Sequence, residues 1–336
     1  MQIEYFEPWL NYRHSIVRQL AFCIASPNIL RYSPDTLENS QHFQWHDTKF
    51  WQQQYQYYQP RLAQLDRDPQ PLIAFMQQLK STRLGLRFEY LLWFWLTEQD
   101  YHPFQLLAHS LQLIDGRYTL GELDFVLYNQ EQQRIEHWEV ALKYYLAEQD
   151  ASLKHWYGLN RDDTLLKKLT HYSQQQFQFS HAGEHAIEQR FAIMKGQLFL
   201  ATDMSQTTIS DISQRTILQA TLQQTADLQA KKLKTNTVNI EPLNSNPLNN
   251  STPPPLLQHN ALPTWVNPAR RLGHWGHHLY TQHYRRLHRH EWLCIDAHST
   301  TQDSKYWHNG LYFNQINQDY YMFRQKPRHL MSFSII

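Results

Sequence analysis

An α/β fold is predicted from three segments of the sequence. Residues 83–99 are apolar nearly all round and read as a buried helix. Residues 120–146 alternate twice about a polar turn and read as a β-hairpin. Residues 191–200, FAIMKGQLFL, read as one more strand, with an amphipathic helix before it.

The first 80 residues are helical and aromatic in pattern. Ile16, Val17, Leu20 and Ile24 recur at helical spacing, and Pro71 opens a second helix. Trp45, Trp51 and the tyrosines at 55, 57 and 58 are expected to pack this layer. In the 83–99 helix, Glu89 stands among Leu86, Phe88, Leu92 and Trp93, where a carboxylate needs a partner. Arg83, Arg87 and Lys143 are the candidates.

In the hairpin, Leu123, Phe125 and Leu127 share one face of the first strand, and Glu122, Asp124 and Val126 the other. On the second strand Trp138, Val140, Leu142 and Tyr144 oppose His137, Glu139, Ala141 and Lys143. Residues 153–172 form a turn with an Asp cap and then a short amphipathic helix. Polar residues dominate 203–264, where one exposed helix precedes a Pro/Asn-rich linker. Beyond 265, WLCID reads as a strand and YFNQINQDYYMF as a pair of strands joined by a turn. The expected organisation is a helical region 1–80, an α/β core 81–202, the insertion and linker 203–264, and a basic, aromatic segment 265–336 packing on the core.

Composition narrows the function. Lys and Arg number 31 against 30 Asp and Glu, a net charge of +1, so any nucleic-acid surface must be local. Nine glycines and no G-x-G-x-x-G or P-loop pattern argue against a nucleotide-phosphate loop. Two cysteines make neither a disulfide framework nor a cysteine-based zinc site, and read as reduced core thiols of a cytoplasmic protein. No signal peptide and no membrane-spanning run is expected.

Chemistry concentrates in Glu89, Asp124, Glu139 and Lys143. If the hairpin pairs Asp124 with Glu139, two carboxylates stand about 4.5–5.5 Å apart at Cβ, an arrangement that repels unless a cation intervenes. Mg²⁺ takes one or two protein carboxylates with waters and phosphate oxygens. Glu89 supplies a third acid, and an ammonium nearby stabilises phosphate charge or positions water.

A helix acid, then Gly121-Glu122-Leu123-Asp124 on a strand, then an acid and a lysine on the next, resembles the layout of the PD-(D/E)XK nuclease superfamily. The set Arg87-Phe88-Glu89, Gly121 to Phe125, and His137 to Leu146 is similar to an uncharacterised bacterial family with that core. The stretch holding Trp156, Gly158, Asn160, Asp163, Leu165 and Lys168 extends the likeness, with Leu159 in place of a proline. The resemblance is tightest over residues 83–180. It implies a restriction-endonuclease-like mixed sheet flanked by helices, with a helical N-terminal region and a C-terminal aromatic and basic extension. It also implies Asp124 and Glu139 as ligands of Mg²⁺ or Mn²⁺, Glu89 as the helix acid, and cleavage of phosphodiester bonds in DNA or RNA. Glu122 and His137 support the site. The superfamily places its lysine two residues after the acid, where Ala141 stands here; Lys143 lies one pleat further, about 13 Å along the strand from Glu139. This departure motivates an alternative, a catalytically inactive nuclease-fold module that binds nucleic acid or a protein partner. Arg270, Arg271, Arg285, Arg286 and Arg289, with interleaved Trp275, Tyr280 and Tyr284, are the expected nucleic-acid contacts.

Overall fold

The computed structural model describes residues 5–202, 262–277, 284–296 and 309–325. The 203–264 insertion and linker falls almost wholly outside them, as does Tyr280. The N-terminal region supplies α1 (Ser15–Ala25), α2 (Thr48–Leu65) and α3 (Gln70–Met76), and the apolar helix is α4 (Leu84–Thr97). Of the aromatic residues expected to pack this layer, Trp51, Tyr55 and Tyr58 are buried and Tyr57 is exposed. Strands β1 (Phe104–Asp115), β2 (Tyr118–Asn129) and β3 (Arg134–Ala147) follow as an antiparallel meander. The two-residue β4 (Trp156–Tyr157) pairs with the end of β3. Next come α5 (Leu165–Gln174), a minor hairpin of β5 (His181–Ala182) and β6 (His185–Ala186), and β7 (Gln189–Ala201). The C-terminal part adds β8 (Gly273–Gly276), β9 (Tyr284–Arg286), β10 (Gly310–Asn314) and β11 (Asp319–Phe323).

One mixed sheet runs β1-β2-β3-β7-β8-β11-β10-β9. β7 is parallel to β3, so a crossover must carry the chain back, and α5 lies on it. β7 is buried along nearly its whole length, as a parallel strand covered on both faces should be. On one face, Phe125, Leu127, Trp138 and Ile193 pack with Leu20, Trp51, Phe88 and Trp95 of α1, α2 and α4. On the other, Ala141, Tyr145, Ala192 and Met194 pack with Leu165, Leu169 and Tyr172 of α5. The result is helices on both faces of a mixed sheet.

The hairpin keeps the expected register: Phe125 faces Trp138 and Val126 faces His137, so the next step sets Asp124 against Glu139. The β3–β7 register sets Gly196 opposite Lys143, where a Cβ would stand 1.9 Å from the Lys143 carbonyl oxygen. Gly121 lies under the Phe179 ring, 2.7 Å from where its Cβ would be. Both glycines admit a close approach that no side chain would allow.

One strand goes unforeseen and two expectations are corrected. β1 is a strand that alternation does not reveal, because register shifts at Leu106/Ala108 and Leu113/Ile114, and Ser110 at φ 48°, break its period. The WLCID segment is not a strand. The Glu291 carboxylate accepts the His288 backbone N–H (2.8 Å) and the Asp296 N–H (3.2 Å) and turns the chain into a 3-10 helix, Arg289–Trp292. The cap of α5 is Thr164, whose hydroxyl accepts the Lys167 N–H at 3.2 Å, rather than an aspartate. Thr164→Ala is expected to cost about 1 kcal/mol, read as a lower urea midpoint with an unchanged m value.

Candidate functional site

Asp124 and Glu139 point to the α5 side of the sheet. Asp124 Oδ2 accepts the Val140 backbone N–H at 2.8 Å, which leaves Oδ1 for Glu139 or a cation. Burial, then the Glu139 charge, pushes the Asp124 carboxyl well above its ordinary range; the charge of Glu89 acts in the same direction. Glu139 is fully buried. Burial raises it to about 8, against the opposing pull of Lys168 and of hydrogen bonds from Asp124. Two acids on adjacent strands, one half-buried and one fully buried, therefore favour holding protons or a cation over two bare charges.

The cation whose charge acts on this pair is Lys168 of α5, not Lys143. Burial lowers the Lys168 ammonium to about 8, while Glu139 and then Asp124 pull it upward. Its Nζ donates to Gln176 Oε1 at 2.9 Å and lies 4.0 Å from the centre of the Tyr172 ring. The Gln176 amide nitrogen donates to Glu139 Oε2, so Gln176 links lysine and acid. Lys143 shares the β3 face of Glu139, but its Nζ is held by Asp163 at 2.7 Å, half-exposed. Asp163 also accepts the Tyr145 hydroxyl at 3.3 Å. Ala141, in the slot where the superfamily pattern has its lysine, is buried in the apolar layer beneath α5.

His137 is fully buried and its Nε2 lies 2.8 Å from Glu139 Oε1. Burial drops its pKa to about 3, so it is neutral, and its Nε2 shares one proton with the Glu139 carboxyl. Its Nδ1 and the Tyr172 hydroxyl are buried with no hydrogen-bond partner among the described residues. Glu122 is exposed on β2, opposite Gln112, and adds a small upward push to Glu139.

Glu89 reaches none of Arg83, Arg87 or Lys143. Its Oε1 lies 2.8 Å from His109 Nε2 and accepts Ser110 Oγ at 3.2 Å, and His109 is stacked between Trp93 and Phe125. Arg87 instead donates to Gln19 at 2.6 Å. Ser110 occupies the β1 position opposite Asp124, so the helix acid meets the strand at that level of the site.

The five arginines of the C-terminal segment do not form one phosphate-facing surface. The described parts of the segment form two short strands and a 3-10 turn, and each arginine is engaged within the fold. Arg270 is buried and donates to the Gly196 carbonyl at 2.9 Å, and Arg271 pairs with Glu7 at 2.8 Å. Arg285 pairs with the buried Glu291 at 2.9 Å, and Arg286 donates to the Asn309 carbonyl at 3.4 Å. The Arg289 guanidinium lies 4.4 Å from the centre of the Trp292 ring. These contacts tie the added strands to the core. Trp275 is likewise buried, with its indole N–H on the Ala147 carbonyl at 2.8 Å.

Gln176 is a member of the site that the sequence did not single out, and Lys168, though it matches the family-like stretch over 156–168, was given no role there. A signal was present for the lysine: it falls in the stripe Leu165, Lys168, Leu169, Tyr172 that α5 turns to the sheet, where a charge is out of place. Among the described residues, no group of three or more His, Cys, Asp or Glu side chains converges as a metal cage. Two carboxylates are nonetheless a sufficient protein share for Mg²⁺, which retains several waters. Both acids prefer to be neutralised, so the donor set fits such an ion. No helix among the described residues is long and apolar enough to cross a membrane.

A family model described as a domain of unknown function (DUF1853) matches residues 18–240, more than half of the chain. It spans α1 to β7 and stops short of β8 to β11. No curated protein and no solved structure matches the chain.

Proposed function

The chain belongs to the DUF1853 family, a domain of unknown function, and for a member built this way we propose a divalent-metal-dependent nuclease of the PD-(D/E)XK type, cleaving phosphodiester bonds in DNA or RNA. The observation that carries the reading is the pair of half-buried Asp124 and fully buried Glu139 on adjacent strands, with Lys168 of α5 acting on both by its charge. The element order supports it: an acid-bearing helix, three antiparallel strands carrying both carboxylates, a crossover helix and a parallel strand.

Asp124 and Glu139 would hold Mg²⁺ or Mn²⁺. When bound, such an ion supplies charge stabilisation at the phosphate and acidifies a water. The chain's own groups do the rest. Gln176 orients Lys168 and Glu139 together. Lys168, at about 8, exchanges a proton near neutral pH and offers positive charge to a phosphate oxygen. His137 fixes the Glu139 carboxylate from its other side. Glu89, tied to His109 and Ser110, adds negative field at Asp124 and strengthens its hold on a cation.

The occupation of Lys143 by Asp163 favours the second reading, a module that binds nucleic acid or a protein partner without turnover. One experiment separates the two. Purified protein is melted with increasing Mg²⁺ or Mn²⁺ and incubated with labelled DNA and RNA. The nuclease reading expects stabilisation by mass action, about 2.7 kcal/mol at 100 times Kd. It also expects cleavage that stops in EDTA and in Asp124→Asn. Cleavage that persisted in both would overturn the mechanism, and salt-sensitive binding with no turnover under any divalent ion would select the module.

A further inference from the structure

The strands β3, β7, β8 and β11 are mutually parallel and end side by side. Beyond their carboxyl ends lies a crevice of about 540 Å³, to which Leu146, Ala201, Trp275 and Arg324 contribute one from each strand end. Such crevices are where open α/β sheets take their ligands. Two guanidinium groups enter this one. Arg161, from the loop before α5, lies 4.3 Å from the centre of the Tyr157 ring and is clamped by Glu148 at 2.6 and 3.0 Å. Arg324 donates to the Leu159 carbonyl at 2.5 Å, and its own carbonyl accepts His277 Nδ1–H at 2.7 Å. The two cations repel each other, and among the described residues Glu148 is the one acid in the lining. The crevice is therefore a preorganised, net-positive fork of the kind that matches a phosphate.

We propose that this crevice binds a backbone phosphodiester of the same nucleic-acid strand whose scissile phosphate lies at Asp124 and Glu139. The inference rests on the nuclease reading above. Seven residues of β3 separate Glu139 from Leu146, about 23 Å at 3.3 Å per residue. A stacked strand covers that span in about seven steps of 3.4 Å. Lys143 lies between the two sites on the face that carries Glu139, and its partner Asp163 belongs to the loop that carries Arg161. The crevice and the carboxylate pair thus lie along one strand, at a spacing that a single strand of nucleic acid spans.

The test is equilibrium binding of labelled single-stranded oligonucleotides to the full chain in EDTA, using a dodecanucleotide and a tetranucleotide. Arg161→Gln, at a largely exposed side chain, and Arg324→Gln are each expected to weaken dodecanucleotide binding about tenfold, and to reduce its salt slope by about one. Tetranucleotide binding should be unchanged, because it cannot span both sites. Thermal melts confirm that each variant is folded, and Arg161→Gln carries the conclusion should Arg324→Gln unfold. Equal dodecanucleotide affinity of variant and parent would overturn the proposal, and so would an equal loss at both lengths. Competition by inorganic phosphate at the concentration of oligonucleotide phosphate would assign the crevice to free phosphate and overturn the strand. Cleavage in Mg²⁺ is measured separately, so an inert protein that still shows the length-dependent loss overturns the nuclease reading and leaves the crevice standing.

Discussion

Lys168→Met lowers metal-dependent cleavage by about 10²–10³-fold, while Lys143→Met leaves it within a few-fold of the parent. The contrast follows from where the two ammonium groups are spent. Lys143 donates its proton to Asp163 at 2.7 Å, so its charge is already answered. Lys168 feels both Glu139 and Asp124, and its only hydrogen bond to another side chain among those described is to Gln176, which itself holds Glu139. A lysine titrating at about 8 supplies both forms near neutral pH, which suits proton exchange with an attacking water. Methionine preserves the length of the side chain against Tyr172 and the helix propensity of α5, so the loss reads on the amine and not on folding. The measurement is kcat and KM across pH for parent and variants, with thermal melts as the control. The Lys168 variant should lose kcat together with the limb of the profile near pH 8. A profile in which Lys143→Met took the loss would return the role to the strand.

The part of the site that is legible in the amino-acid sequence is the part carried by short-range period. Alternation along 120–146 sets both faces of the hairpin, and a polar turn sets its register, so Asp124 and Glu139 can be placed against each other. Glu89 stands out in an apolar helix, but its partner does not. His109 and Ser110 lie on a strand whose bulges and left-handed Ser110 erase the alternation that would have revealed it. Lys168 matches the family-like stretch over 156–168, but its place beside the acids is hidden for a different reason. Its approach to Glu139 depends on how α5 docks after a crossover, a tertiary fact, although its place in the helix's apolar stripe is a warning. The arginines of 270–289 cluster in sequence but not in space. Strand formation disperses them, and Glu7 and Glu291, distant or unremarked in sequence, claim three of them.

In EDTA, the melting temperature of the parent should fall as pH rises from about 5 to about 8, then recover above it. Glu139 sits at about 8 in the fold against 4.5 in an ordinary environment. Between those values the folded chain binds more protons than the unfolded one, so stability is lost as pH climbs and the loss is complete above 8. Asp124, also raised, adds the same sign. Lys168 is lowered from 10.5 to about 8, so between 8 and 10.5 the folded chain binds fewer protons and stability returns with pH. At about 1.4 kcal/mol for each tenfold change in a group's proton affinity, the trough amounts to a few kcal/mol. Glu139→Gln, which keeps the volume and the hydrogen bonds to His137 or Gln176, should flatten the acid limb; subtracting its curve from the parent's isolates Glu139 together with its pull on Asp124 and Lys168. The same proton is what a divalent cation must displace. Mg²⁺ should therefore stabilise the parent more at pH 8 than at pH 6, and fill the trough in the parent but not in Glu139→Gln. A trough that Mg²⁺ left untouched would mean that the carboxylate pair was built to keep its proton, and the metal would have no seat.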